Sequence, residues 1–139
     1  MAGSKSNYLE NKLLDAVLGG PAFSLPANVY IALSTAAYSE TATGASMNEV
    51  STSGTGYARV AIANNTTNWP AASNGIKANA NAITFPAATA AWGTVLSFYI
   101  VDAATNGNVL YGGDLASSRT VNSGDTCSFA TSAITITED

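Results

Sequence analysis

Histidine is absent from the chain, cysteine occurs once, and charged residues make up only 10% of it, against roughly a quarter in ordinary soluble domains. Each scarcity removes a class of function. Without histidine, serine–histidine and cysteine–histidine nucleophile pairs are excluded, and so is a histidine-ligated zinc site. A lone Cys127 permits neither an internal disulfide nor a CxxC pair. It lies in a strand-like Thr-Cys-Ser-Phe-Ala run with no base to activate it, so a small buried side chain is expected rather than a reactive thiol. The five basic residues, Lys5, Lys12, Arg59, Lys77 and Arg119, are scattered singly and form no stripe that could neutralise phosphates, so no nucleic-acid partner is expected. No apolar run approaches the roughly 20 residues that cross a bilayer. The opening Met-Ala-Gly-Ser-Lys-Ser-Asn lacks the apolar core of a signal peptide. Synthesis in a cytoplasm and no membrane partner are the expectations.

Ala, Ser, Thr and Asn fill the places that charge leaves empty. Small neutral groups of this kind cost little to desolvate when another protein covers them, so the composition favours a protein that works inside an assembly. Among the nine acidic residues, Asp102, Asp114 and Asp125 stand beside glycines or loops, where aspartate bonds to turn backbone. No Asp-x-Asp-x-Asp-Gly run marks a calcium loop. The chain reads as non-enzymatic, with no catalytic residue, cofactor or metal.

The strongest local signal is Trp92 to Leu110. Val95, Ser97, Tyr99 and Val101 alternate with Leu96, Phe98 and Ile100, the two-residue period of a strand, and Asn106-Gly107 supplies the positive φ of a tight hairpin turn before Asn108-Val-Leu-Tyr111 returns. Gly112-Gly113 is read as the end of that second strand. Further strands are expected at 28–33, 57–63, 82–85, 114–116, 119–121, 127–130 and 134–137. Arg59 is expected as a solvated strand residue opposite Val60 and Ile62, and Trp92 as core or rim packing. One amphipathic helix, Asn7 to Leu18, precedes them. Ser6 or Asn7 can cap it, Asn7 with Glu10 fits a capping box, and Gly19-Gly20-Pro21 ends it. The sum predicts a mainly β fold: an antiparallel, jelly-roll-like sandwich of about eight strands behind one helix. Residues 1–27 form an N-terminal arm and helix, and 28–139 the sandwich domain.

Candidate contact residues follow from this layout. Tyr8, Leu9, Leu13 and Val17 lie on the helix, which must bury its stripe on the sandwich edge or on a neighbouring subunit. Met47 and Val50 lie in the long excursion Ser34 to Gly56, longer than ordinary loops and therefore suited to reaching a partner. Trp69, in a polar loop, is a candidate interface anchor.

Ser6 to Asp15, Val29-Tyr-Ile-Ala-Leu33, Glu49-Val50 with Gly56-Tyr-Ala-Arg59, Phe85 to Leu110 and Gly124-Asp125 occur in an order that resembles a family of small tailed-bacteriophage virion proteins. The likeness spans nearly the whole chain. It implies a jelly-roll-like sandwich and the role of a cement or decoration protein on the outer capsid surface. Its partners would be the major capsid protein and further copies of itself, as a dimer or trimer. The alternative it leaves open is a tail fibre or receptor-binding tail component.

Overall fold

The structure is a computed structural model that describes residues 2–138. Nine strands and one helix follow in order: β1 (Ala2–Lys5), α1 (Asn7–Val17), β2 (Asn28–Ser34), β3 (Val60–Ala63), β4 (Ile76–Ala78), β5 (Ile83–Thr84), β6 (Gly93–Val101), β7 (Val109–Val121), β8 (Ser128–Phe129) and β9 (Thr135–Thr137). Seven of them form one sheet in the order β3-β2-β6-β7-β1-β9-β4, and β5 pairs with β8 in a separate two-stranded ribbon. The mainly β expectation holds, but the eight-stranded antiparallel sandwich does not. The principal sheet is curled and mixed, because β1 runs parallel to β9 (Ala2 opposite Thr135, Gly3 opposite Ile136) while pairing antiparallel with β7. The reason is long-range. Ala2-Gly-Ser-Lys5 carries no strand pattern of its own and becomes a strand only because β7 and β9 flank it. Residues 2–5 of the expected N-terminal arm thus form an interior strand of the sheet.

The β6–β7 hairpin is the centre of the sheet. Asn106 (φ 51°) and Gly107 (φ 78°) both take the left-handed region, as the turn chemistry requires. Asp102 clamps the turn, its Oδ1 accepting from the Asn108 amide at 2.7 Å and its Oδ2 from the Asn108 side chain at 2.9 Å. The return strand does not stop at Gly112-Gly113. It continues to Val121, so that the expected separate strands 114–116 and 119–121 are one with it. The two glycines make room rather than break the strand. A Cβ at Gly112 would run into the Tyr38 ring, and one at Gly113 would stand 2.6 Å from the Ala2 carbonyl oxygen of β1.

An irregularity in the β6–β7 ladder corrects the expected alternation. Between the pairs Val95–Arg119 and Ser97–Asp114 the extra residues lie on β7, with Leu96 alone opposite 115–118; Leu96 is 36% exposed and Val95 packs on the side of Phe98 and Ile100. Behind that face lies the larger core, including Leu9, Val29, Ile31, Phe85, Trp92 and Ile134. Tyr57, Phe85, Trp92, Phe98 and Phe129 meet there edge-to-face or stacked at centroid distances of 5.3–6.4 Å. The Trp92 indole donates to the Thr55 carbonyl at 2.9 Å, which confirms this tryptophan as a core residue. Tyr99, Val101, Val109 and Ala32 project from the opposite face, where Met47 covers them. The excursion after β2 folds back over the sheet: Val50 N–H donates to Leu33 O, Ser34 Oγ donates to Met47 O at 2.5 Å, and Ser97 Oγ to Ala36 O at 2.7 Å. A central strand buried on both faces is the outcome.

Helix α1 is capped by Ser6, whose Oγ accepts from the Leu9 amide at 3.2 Å and donates to the Val109 carbonyl. The Asn7–Glu10 capping box is not used, because Ser6 is wholly buried between helix and β7 and Asn7 is already the first helical residue. Of the helical residues only Leu9 is buried, with Tyr8 and Leu13 half-buried against the core.

Candidate interaction surface

Arg59 is the most heavily bonded side chain among the described residues and departs furthest from its expectation as a solvated strand residue. It precedes β3 in a stretch too irregular to join the ladder, and its side chain is only 3% exposed. The guanidinium grips Glu49 with two bonds, Nε to Oε1 and Nη2 to Oε2, each 2.8 Å. Its remaining donors go to the carbonyls of Ala103 (2.7 Å), Asn106 (2.9 Å) and Gly44 (3.0 Å). All five guanidinium N–H groups are therefore satisfied. Glu49 Oε1 also accepts from the Tyr57 hydroxyl at 2.8 Å, and that hydroxyl accepts from the Leu33 amide at 3.0 Å. Burial, reinforced by the Glu49 carboxylate, pushes the Tyr57 phenol far above its ordinary range and keeps it a donor. One cation thus ties the excursion after β2 to the β6–β7 turn. Sequence reasoning missed it because a single Arg beside strand residues looks solvated unless its distant partners are known.

Asp102 and Asp125 serve turns, as their positions suggested, Asp125 accepting from the Asn122 amide at 2.9 Å. Asp114 does not: it lies within β7 and accepts from the distant Tyr38 amide at 2.7 Å. Cys127 is half-buried, and burial pushes its thiol pKa up. Among the described residues no cluster of three or more potential metal ligands occurs, and no helix is long and apolar enough to cross a membrane.

The candidate contact residues separate into two sets. Leu9, Met47, Val50 and Trp69 are 2–6% exposed and belong to the chain's own interior. Tyr8 and Leu13 are half-buried, and Val17 is 77% exposed. Val17 has company. Leu14 and Leu18 share the outer side of the helix end with it, and Leu25 on the following linker is 74% exposed. Beside them runs an apolar groove of about 370 Å³, lined by Leu13, Phe23, Leu25, Trp69, Tyr111 and Ile136 among others, with Lys77 and Glu138 as its charged members. Leu9 and Leu13 bring the helix into the groove wall, so groove and helix end form one continuous face. An apolar face of this kind on a folded chain marks a protein contact. Sequence patterning located the helix stripe but had no means to place the linker and β4 beside it.

A sheet filled on both faces, loops locked by internal charge, and one apolar face left open define a small structural β-domain. Residues 4–137, from β1 to β9, match the family described as Podophage GP4 fiber I protein gp80, and the chain belongs to that family. It is a phage structural protein, as the sequence resemblance implied. The match favours the fibre alternative over the cement or decoration role, and gives the capsid surface no support. A search of curated proteins finds no match.

Proposed function

We propose that the chain is a fibre subunit of a podophage tail, a non-catalytic building block that contacts other virion proteins and further copies of itself. The single observation that carries this reading is the family match, which runs over residues 4–137, from within β1 to the end of β9. The architecture suits the role. A fibre must survive exposure, and here the long excursion that would otherwise be a free loop is packed on the sheet by Met47 and bolted to the hairpin turn by Arg59. The sparse charge leaves wide neutral surface for permanent contacts. The major capsid protein is replaced as principal partner by the tail.

The test is stoichiometry and position in purified particles. A copy number that is a small multiple of the tail's rotational symmetry, with antibody labelling at the tail, is expected. Abundance on the scale of the major shell protein, with label over the head, would return the chain to a cement role.

A further inference from the structure

The helix end and the groove beside it carry an inference that does not depend on where in the virion the chain sits. Six large apolar side chains are exposed among the described residues; of these, Leu25 lines the groove, and Leu14, Val17 and Leu18 stand at the end of the helix whose Leu13 lines it. The occupant of such a face must be apolar in body.

We propose that it is a second copy of this chain, seated so that Leu14, Val17 and Leu18 of each protomer enter the groove of the other. Charge is the reason for choosing self over a different partner. The helix carries no basic residue in its last turn, and the carbonyls of Ala16, Val17 and Leu18 accept no main-chain hydrogen bond among the described residues. Among the described residues no cation answers the negative end of the helix or the exposed Asp15 beside it. Lys77, on the groove, has no ion pair among the described residues either. A second copy brings each to the other. Because the helix end and the groove adjoin through Leu13, a two-fold axis lets both protomers insert at once, and the assembly closes as a dimer.

Sedimentation analysis of the purified full chain over a concentration series tests this. The wild type is expected at twice the 14.0 kDa protomer mass. Leu18→Asp, at a position 76% exposed and so harmless to the fold, is expected at the protomer mass with an unchanged circular dichroism spectrum. Lys77→Glu should weaken association about ten-fold, since the symmetry counts each lost pair twice, and adding Asp15→Lys should restore it. A wild type that stays monomeric at every concentration would overturn the proposal, even if it binds another virion protein. An oligomer indifferent to these substitutions would do the same, and a trimer would overturn the two-fold closure.

Discussion

Replacing Arg59 by Met keeps most of the aliphatic stem and removes the cation that joins the excursion to the hairpin turn. Three carbonyls, those of Gly44, Ala103 and Asn106, lose a donor, and the Glu49 carboxylate loses both of its guanidinium bonds. Breaking one member of a buried pair costs about 3–5 kcal/mol. The Glu49 side chain is 21% exposed and keeps part of its hydration, so the lower end, about 3 kcal/mol, is the expected loss. For a domain of this size that corresponds to a fall of roughly 10 °C in Tm. Urea unfolding of the wild type, Arg59→Met, Glu49→Gln and the double variant would give the value and the coupling. The double variant should cost less than the sum of the singles by about 1–2 kcal/mol, because Glu49→Gln already removes the charge that Arg59 neutralises. Hydrogen exchange should quicken first around residues 44–49 and 102–108, where the lost bonds lie. A cost for Arg59→Met of about 0.5 kcal/mol or less, the level of an ordinary surface change, would refute the view that this side chain holds the loops.

Two further outcomes follow from the packing. Met47→Ala should destabilise by about 2–4 kcal/mol in the same urea assay, since Met47 is 2% exposed against Tyr99, Val101 and Val109. A near-neutral result would mean that the excursion leaves the sheet in solution. Stability should also fall in alkali. Burial raises the phenols of Tyr38, to about 12, and of Tyr57, Tyr99 and Tyr111 above the ordinary value of 10.0. Between those limits the folded chain holds protons that the unfolded chain has released, so ΔG of unfolding declines as pH rises through that window and is at its full value below it. Urea midpoints measured from below pH 10 to about pH 12 should drop while tyrosinate absorbance lags behind that of the unfolded chain. A flat midpoint across the window would contradict the assigned burial.

The sequence by itself determined what short-range chemistry can specify. Ser6, the Leu-rich stripe and Gly19-Gly20 bound the helix; β-branched and aromatic alternation marks β2 and most of β6; Asn106-Gly107 makes the turn. The ordered motifs were also enough to indicate a phage structural protein. Only the tertiary structure decided where strands without a pattern belong and which polar groups meet. Ala2–Lys5 is a strand because Gly113 leaves room for it and Thr135–Thr137 lies alongside. Arg59 is buried because Glu49 and two loop segments converge on it across 10–47 residues of chain. Met47, Val50 and Trp69 look like contact residues in a polar stretch and turn out to be core, while Leu14, Leu18 and Leu25 remain outside. The physical reason is the same in each case. A dihedral preference or an alternating pattern acts over a few residues, whereas burial depends on which distant segments the closed sheet brings together.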